Sequence, residues 1–304
     1  MKKQTTMIDK EVQQFVILDG KKTSREIEVE IGEETRKLLP VVGRPPHLAA
    51  ILVGDDTASN TYVKSKFKAC KRVGFKDTLV TFDTTVSQET ILEKVAAFNN
   101  DPGLDGYIVQ LPLPDHISVE IVTDLIDPKK DVDGFTPANF GKMGLPHPSL
   151  LPATPRGIME LMARYDIETR GKHCVVVGNS HIVGSPVSLL LAGPGKATVT
   201  VCHIYTKDLA FHTLQADILI VAVGKPNLIT RDMVKDGVVI VDVGINRIPD
   251  SSVQRGYVIK GDVDFENVSD KCSYITPVPG GVGPMTIASL LLNTLDAYKR
   301  THQL

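Results

Sequence analysis

The feature that most constrains the fold is an alternation of short apolar runs with helical patterns, which occurs in both halves of the 304-residue chain. In the first half the order is helix 24–37, strand 47–54, helix 60–73, strand 78–82, helix 88–99 and strand 106–111. Successive strands separated by helices need crossover connections, which place helices on both faces of a mostly parallel sheet. The sequence therefore predicts an α/β fold.

The second half restarts this rhythm after a Pro- and Gly-rich segment, 127–154, which predicts irregular chain that forms a cleft wall or a domain connection. Its order is helix 155–165, strand 172–178, helix 182–191, strands 197–202, 218–223 and 238–243, and helix 285–300. The chain is about twice as long as a typical domain, so two domains are expected. No internal repeat of convincing sequence identity relates the halves.

Local signals mark two helix starts and two strand ends. Ser59 is predicted to cap the helix at 60–73, and Thr154 is predicted to cap the helix that begins with Pro155. Ligands of open parallel sheets bind beyond the carboxyl ends of the strands. Gly54 and Gln110 fall at such ends, so this edge is where we expect the chemistry.

Charge and cysteine content narrow the class of protein. Acidic and basic residues are mixed along the chain with a formal net charge of −2, which predicts neither a nucleic-acid nor a membrane partner. Cys70, Cys174, Cys202 and Cys272 lie far apart, which predicts buried apolar residues in a reduced protein. Residues 1–10 lack the apolar stretch of a secretory signal, so a cytoplasmic protein is expected.

A glycine turn in the second half has the pattern of a dinucleotide site. Gly178 ends a predicted strand and Gly184 lies at the start of a helix, where a pyrophosphate can approach the backbone and the helix N-terminus. Ser180 stands where the second glycine of the usual motif would be. The alternative is a purely structural strand–helix turn.

The loop after the next strand bears on the choice of dinucleotide. NAD-selective sites usually place an acid near the end of this strand to bind the ribose 2′-hydroxyl. Here the chain continues through His203 without an acid until Asp208, and Thr206 and Lys207 are available to a 2′-phosphate. This favours NADP, although ordinary exposed loop residues remain the alternative.

A candidate reaction site lies in the first half. Tyr62 and Lys66 are four residues apart on a predicted helix, so their side chains share one face. An aromatic ring can stack on a flat heteroaromatic substrate, Asp133 can pair with its donor edge, and a buried lysine can titrate near neutrality. The alternative is a solvated surface pair.

These residues lie in segments that closely resemble the bifunctional methylenetetrahydrofolate dehydrogenase/methenyltetrahydrofolate cyclohydrolase family. The resemblance runs in family order from about residue 17 to the C-terminal helix. The matching segments are 53–54, 58–66, 109–114, 131–135, 155–157, 177–186, 242–246 and 277–286.

The resemblance implies a catalytic and folate-binding domain, 1–154 with the C-terminal helix 286–304, and a Rossmann dinucleotide-binding domain, 155–285. It implies that Lys66 is catalytic, that Gln110 is its partner, that Tyr62 stacks on the folate and that Asp133 anchors the pterin. Further implied folate contacts are Gly280, Gly281 and Pro284. Implied cofactor contacts are Gly178, Asn179, Ser180, Val183, Gly184, His203, Thr206 and Ile245.

The implied reaction is oxidation of 5,10-methylenetetrahydrofolate to the 5,10-methenyl form with NADP, followed by hydrolysis to 10-formyltetrahydrofolate without a metal. The resemblance also implies a homodimer formed through the Rossmann domain. Some members carry an arginine at the position of Asn179, and many carry a basic or hydroxyl residue at the position of Ile204. This chain has neither, which keeps NAD open as the cofactor. The extension 1–14 has no family counterpart, and no function is assigned to it.

Three rival interpretations remain. A shikimate-type oxidoreductase would account for the second half, but not for the segment 109–114 or the last glycine-rich loop. A non-catalytic dinucleotide-binding protein would tolerate the loss of Lys66, Gln110 or Asp133, and all three are present. A family member that kept one of the two activities is the third.

Overall fold

The structure is a computed structural model that describes residues 15–145, 147–254 and 256–304, so the extension 1–14 lies outside the described residues. The strands β1 to β11 are Val16–Ile17, His47–Val53, Lys76–Phe82, Gly106–Val109, His173–Val177, Thr198–Cys202, Ile218–Val221, Val238–Asp242, Asn246–Pro249, Tyr257–Lys260 and Cys272–Ile275. The α-helices α1 to α10 are Gly20–Val42, Thr57–Val73, Gln88–Asn100, Val119–Leu125, Pro137–Met143, Ala153–Arg164, Gly184–Ala192, Leu209–Thr213, Phe265–Val268 and Val282–His302.

The first lobe is built on a three-stranded parallel sheet in the order β3-β2-β4. All seven residues of β2 are buried, as expected for a continuous apolar run covered on both faces. Because side chains alternate along a strand, Leu48 and Leu52 pack with Val63 of α2, whereas Ile51 packs with Ile91 of α3 on the other face. The predicted α/β class is confirmed.

The second lobe contains a six-stranded parallel sheet in the order β1-β11-β8-β7-β5-β6. Its first edge strand is β1, which pairs with β11 although it precedes the whole first lobe in the chain. The predicted domain boundaries at 154 and 286 remain a prediction. β9 and β10 form a separate antiparallel pair.

The two lobes share one β-α-β-α-β unit, because β3-β2-β4 and β6-β5-β7 have the same strand order. Gly54, which follows β2, and Gly178, which follows β5, each donate their N–H to the last residue of the neighbouring strand at 2.9 Å. The N–H of Gln110, after β4, donates to Ile51 of β2 at 2.9 Å, and that of Ala222, after β7, donates to Val177 of β5 at 2.8 Å. Gln110 is therefore the counterpart of Ala222.

The C-terminal helix α10 joins the lobes, since it packs against α6, α1 and α2. Gly157 of α6 allows the close approach: a Cβ at this position would lie 3.0 Å from the backbone of Met285. Helix α10 extends beyond the predicted helix 285–300 at both ends. Its packing fixes the first lobe against α6, at the start of the second.

Two predicted caps are wrong. Helix α2 begins at Thr57, because the Asp56 carboxylate accepts the N–H of Ser59 at 2.7 Å; Ser59 is capped rather than capping. Helix α6 begins at Ala153 without a side-chain cap, and the hydroxyl of Thr154 instead lies 2.9 Å from the hydroxyl of Thr286. In neither helix does the predicted hydroxyl act as the cap. The Asp56 carboxylate caps α2, and the Thr154 hydroxyl contacts α10 instead.

Residues 127–154 were predicted to be irregular, but the structure places helix α5 within them. Thr136 caps α5 by accepting the N–H of Asn139, and Pro137 takes the first helical position, where its missing N–H costs nothing. The first helix is also longer than predicted, because Asp19 caps it through the N–H of Lys22. The early start of α1 and the unpredicted helix α5 thus both depend on side-chain caps.

Candidate active site

Lys66 lies on the inner face of α2, close to the carboxyl edge of the first sheet. Only 3% of its surface is exposed. Its Nζ donates to Oε1 of Gln110 at 3.2 Å and lies 4.8 Å from the centre of the Tyr62 ring. The helical spacing of Tyr62 and Lys66 therefore places both groups at one point, as predicted.

Gln110 reaches this point from the end of β4. Its N–H is bound to the carbonyl of Ile51 in β2, so its backbone continues the sheet. Its side-chain amide donates to the carbonyl of Leu111 at 2.7 Å. Because the amide nitrogen is used in this way, Oε1 is turned towards Lys66 as an acceptor.

Tyr62 belongs to a chain of hydroxyl groups that links three helices. Its hydroxyl interacts with the side chain of Thr286 in α10, and the hydroxyl of Thr286 lies 2.9 Å from that of Thr154 in α6. Burial raises the pKa of the Tyr62 hydroxyl, which stays protonated in the neutral range. The ring is therefore held from both lobes.

Asp131 and Asp133 have different surroundings although one residue separates them. The Asp131 carboxylate is 1% exposed and accepts three backbone N–H groups from 134–136 together with the side-chain amide of Asn139. Among the described residues no N–H or O–H donates to the Asp133 carboxylate, which interacts electrostatically with Lys66. Asp131 shapes the loop, whereas the acceptor positions of the Asp133 carboxylate are not used by N–H or O–H groups of the described residues.

Burial sets the protonation of this cluster. It lowers the pKa of the Lys66 amine, because desolvation disfavours the ammonium form, and the Asp133 carboxylate offsets part of this effect. Burial likewise raises the pKa of Asp133, and Lys66 opposes that rise. An amine whose pKa is brought towards neutrality can accept and return a proton.

The glycine turn connects β5 to α7. A Cβ on Gly178 would lie 2.1 Å from the carbonyl oxygen of Ala222, and a Cβ on Gly184 would lie 2.0 Å from the carbonyl oxygen of Gly178. Ser180 accepts the N–H of Val183 at 3.1 Å, and no side chain caps α7. The compact, uncapped turn fits a pyrophosphate at a helix N-terminus.

Of the remaining predicted cofactor residues, Asn179 lies in the glycine turn itself, whereas His203 and Thr206 lie in the loop after β6. After β6, the backbone N–H of His203 donates to the Thr206 hydroxyl at 2.8 Å, whereas Ile204 is 91% exposed. Asn179 lies in the glycine turn and accepts from the Ser185 hydroxyl at 3.1 Å. The sequence-predicted phosphate contacts therefore form two groups, one at the turn and one after β6.

The loop before α10 completes the arrangement. Lys21 at the start of α1 donates its N–H to the carbonyl of Gly280, and Gly281 donates to the carbonyl of Pro277, both at 2.9 Å. Ile245, after β8, is 61% exposed and lies 3.8 Å from the position of a Cβ on Gly283. Ile245 therefore borders the glycine-rich loop, and Pro284 lies in the first turn of α10.

A cleft of about 470 Å³ opens between the two predicted sites. Its lining includes Leu111 and Phe135 on the first-lobe side, and His181 and Ile182 of the glycine turn on the other. Leu111 follows Gln110 directly in the chain, so this cleft borders the loop after β4 on one side and the glycine turn on the other.

Comparison with known proteins decides the family. The family description "Tetrahydrofolate dehydrogenase/cyclohydrolase, catalytic domain" matches residues 18–133, and the NAD(P)-binding domain of the same family matches 152–302. The chain belongs to the tetrahydrofolate dehydrogenase/cyclohydrolase family. The bifunctional protein FolD of Flavobacterium johnsoniae is 57% identical over 286 residues, which are 93% of this chain and 97% of that protein.

Solved structures of the family have the same fold. The bifunctional FolD dehydrogenase/cyclohydrolase of Campylobacter jejuni is 49% identical with a TM-score of 0.89, over 94% of this chain and 99% of that one. The dehydrogenase-cyclohydrolase of Trypanosoma brucei, solved with NADP and an inhibitor, is 37% identical with a TM-score of 0.92, over 96% and 100% of the chains.

The predicted activity is confirmed by this membership. The enzyme oxidises 5,10-methylenetetrahydrofolate with NADP and hydrolyses the methenyl product to 10-formyltetrahydrofolate. In the described ranges, no helix combines the length and apolarity that a membrane crossing needs. The same ranges contain no cluster of three or more His, Cys, Asp or Glu side chains suited to a metal ion.

Sequence reasoning missed several residues that hold the site of this dehydrogenase/cyclohydrolase together. Thr286 falls within a matching family segment, but nothing in the sequence connects it to Tyr62, and the sequence does not distinguish Asp131 from Asp133. Asp242 and Asp262 were not singled out, although both are buried beneath the second sheet's carboxyl edge. An acid inside an apolar, glycine-rich segment was the available signal for the last two.

Proposed function

We propose that Lys66 is the proton-transferring group of the hydrolysis and that Gln110 holds it in place. Three contacts support this role: the amine is almost fully buried, it donates to Gln110, and it lies over the Tyr62 ring. Burial lowers the pKa of Lys66, so a neutral amine is accessible without extreme alkalinity. The observation that carries the proposal is this buried amine, hydrogen-bonded to Gln110 at the carboxyl end of β4.

The hydrolysis then follows from the position of Lys66. Neutral Lys66 takes a proton from water as the hydroxyl adds to the methenyl carbon. The bond from that carbon to N5 then breaks as the ammonium gives its proton to N5, and the added hydroxyl loses its remaining proton to solvent water, so that its oxygen becomes the carbonyl of the formyl group on N10. Gln110 accepts a hydrogen bond from Nζ throughout, so the amine keeps its direction.

Tyr62 and Asp133 bind the folate in this proposal. The Tyr62 ring is fixed through Thr286 and lies beside Lys66, which places it to stack on the flat pterin next to the reacting carbon. Asp133 accepts from the donor edge of the pterin, since its carboxylate has no N–H or O–H donor among the described residues. Gly280, Gly281 and Pro284 line the junction between the folate and the nicotinamide.

NADP occupies the carboxyl edge of the second sheet in this proposal, where it supplies the hydride acceptor for the methylene carbon. The pyrophosphate lies at the turn 178–184, whose members Gly178, Asn179, Ser180, Val183 and Gly184 surround the start of α7. This placement of the pyrophosphate is supported by the close contact of Gly178 and Gly184 with neighbouring backbone, which leaves no room for larger residues.

The adenosine and nicotinamide ends then extend in opposite directions from the turn. His203 and Thr206 lie beside the 2′-phosphate, because their loop follows the strand next to β5 and is ordered by their mutual hydrogen bond. Ile245 lies beside the nicotinamide, because it borders the glycine-rich loop. Alignment of the two ligands is the protein's contribution to hydride transfer.

Hydrolysis of methenyltetrahydrofolate without added dinucleotide tests the proposal. In Lys66→Met the rate should fall by at least about a hundredfold, because a general acid–base group is lost. Lys64→Met is the matched control, since Lys64 is exposed on the same helix and should leave the rate unchanged. Equal rates in Lys66→Met and wild type would remove the role of Lys66.

We also infer a homodimer formed through the second lobe. Strand β6 is an edge of the six-stranded sheet, and an exposed edge strand offers unpaired backbone groups to another chain. Val201 in β6 is 37% exposed and Phe211 in the adjoining α8 is 60% exposed. Sedimentation of wild type should give twice the monomer mass, and Val201→Lys should shift it to the monomer.

We place the enzyme in the cytoplasm. Its four cysteines are all buried and unpaired, whereas proteins of oxidising compartments commonly form disulfides. Burial raises the pKa of the Cys70 thiol to about 12, so this thiol remains protonated and unreactive. Fractionation of cells that express the tagged chain tests the location.

A further inference from the structure

Two buried carboxylates lie beneath the carboxyl edge of the second sheet. Asp242 ends β8 and is 3% exposed, and Asp262 follows β10 and is fully buried. Among the described residues neither carboxylate forms an ion pair with Lys, Arg or His. Their partners are N–H groups. Burying carboxylates without a cationic partner costs free energy, so we expect such an arrangement where it fixes a geometry that the site requires.

Asp262 collects donors from two separate loops. One carboxylate oxygen accepts the backbone N–H groups of Val223 and Gly224, at 2.7 and 2.9 Å, in the segment after β7. The other accepts the side-chain amide of Asn246 at 2.8 Å, at the start of β9. One side chain thereby fixes both loops at the sheet's carboxyl edge.

Asp242 supports Asp262 from below. Its carboxylate accepts the N–H groups of Gly244, Asp262 and Val263, at 2.9, 3.0 and 2.9 Å. A Cβ on Gly244 would lie 2.3 Å from the Asp262 carboxylate, so the backbone closes directly over it. The two acids and the loops around them form one tightly packed unit.

This unit adjoins the proposed dinucleotide site on both sides. The carbonyl of Ala222, next to Val223, lies 2.1 Å from the position of a Cβ on Gly178, so the glycine turn rests on the segment that Asp262 holds. Ile245 lies between Gly244, which donates to Asp242, and Asn246, which donates to Asp262. A dinucleotide that crosses from the turn to Ile245 therefore passes over this unit.

We propose that Asp262 is a positioning residue for the nicotinamide half of the dinucleotide site. It acts through the loops 222–224 and 244–246, which it holds by accepting two backbone N–H groups of the first and the side-chain amide of Asn246 in the second. The inference rests on the placement of the dinucleotide in the proposed function. A carboxylate is required because both of its oxygens accept, whereas an asparagine would turn an NH2 group towards an N–H donor.

The inference predicts that loss of the carboxylate separates the two activities. Dehydrogenation needs the loops that Asp262 positions, because NADP must be aligned with the folate. Hydrolysis of the methenyl form needs Lys66 and Gln110, which lie in the first lobe. A general loss of folding would lower both activities together, so their separation is a readout that a merely structural role would not give.

The experiment compares Asp262→Asn with wild type in three measurements: NADPH affinity by fluorescence titration, KM for NADP, and methenyltetrahydrofolate hydrolysis without dinucleotide. NADPH should bind at least about tenfold more weakly in the variant, because hydrogen bonds that order the loops are lost. Hydrolysis should stay within about twofold of wild type, because the lysine cluster is distant and shares no partner.

Asp217→Asn is the matched control. Asp217 accepts the N–H of His173 at 2.9 Å in the same sheet, but before β7 and therefore at the opposite edge. It should alter stability without altering NADPH affinity. If Asp262→Asn fails to fold, Asn246→Ala removes one donor and keeps the carboxylate, and it should weaken NADPH binding in the same direction.

Unchanged NADPH affinity in folded Asp262→Asn, or in Asn246→Ala where the first does not fold, would overturn the inference. Equal losses of hydrolysis and of dinucleotide binding per folded molecule would overturn it as well. Failure of the proposed function looks different, because wild-type protein itself would then show no NADPH binding that depends on the turn 178–184.

Discussion

His47 and His173 hold the same place in the two lobes. Each is the first residue of the central strand of its unit, β2 or β5, and each donates its backbone N–H to a buried or half-buried aspartate at 2.8 or 2.9 Å. The Nε2 atom of His47 lies 2.8 Å from the Thr78 hydroxyl, and that of His173 lies 2.9 Å from the Thr200 hydroxyl. The lobes therefore share these contacts of the first strand residue, with an aspartate and with a threonine, as well as their strand order.

Burial of the His47 ring makes the stability of the fold depend on pH in the acidic range. Burial lowers the pKa of His47 below its ordinary value of 6.5, so the folded state favours the neutral ring. A group whose folded pKa is depressed contributes stability above the unfolded pKa and loses it as pH falls through the folded pKa. We expect the free energy of unfolding to fall on acidification below 6.5.

Urea unfolding of wild type and His47→Gln at several pH values measures this effect. The variant should be less stable near neutrality, by about 1 kcal/mol for a lost buried hydrogen bond, and should show a weaker acid dependence. The same acid dependence in both proteins would assign it to other groups.

The neighbouring acids Asp131 and Asp133 should respond to substitution in opposite ways. Asp131→Asn should cost about 3 kcal/mol of stability, because a buried carboxylate with four donors is replaced by an amide. Asp133→Asn should leave stability nearly unchanged and raise KM for the folate by about tenfold or more, because a charge-assisted contact is lost. Chemical denaturation and steady-state kinetics on the same preparations test the pair; interchanged effects would contradict it.

The pH profile of hydrolysis should report on Lys66. Since the neutral amine is the active form, the rate should rise with pH and level off above the folded pKa of Lys66, which burial brings below 10.5. Lys66→Arg keeps the positive charge but cannot deprotonate, so the rise should disappear and the rate should drop by at least about a hundredfold. An unchanged profile in this variant would place the titrating group elsewhere.

The exposed Ile204 should be a position at which preference for NADP can be increased. Ile204→Arg adds a guanidinium beside His203 and Thr206, where it can bind a 2′-phosphate in a bidentate manner. The ratio of kcat/KM for NADP over NAD should rise by about tenfold. Val29→Arg, at a 61% exposed position of α1, adds the same charge far from the loop and should leave the ratio as it was. A similar ratio in both variants would show that this loop does not bind the 2′-phosphate.

The sequence by itself determined the local elements and the groups that they carry. The apolar runs and their alternation predicted the three strands of the first sheet and strands β5 to β8 of the second, because the burial of a strand shows in consecutive apolar residues. Strands β1 and β11 were not predicted. The spacing of Tyr62 and Lys66 predicted their common face, and Gly178 and Gly184 marked the turn, because helical periodicity and backbone freedom are short-range properties. The motif segments carried the family.

Only the tertiary structure decided which distant groups meet. The partner of Lys66 is 44 residues away, and the burial that lowers its pKa comes from elements on both sides of α2. Other contacts between distant segments were likewise decided by the tertiary structure. Strand β1 pairs in the second sheet, and the hydroxyl of Thr154 contacts α10 instead of capping α6. Asp262 binds two separate loops. Hydrogen bonding and desolvation at a residue depend on every segment packed around it, so no local pattern in the sequence encodes them.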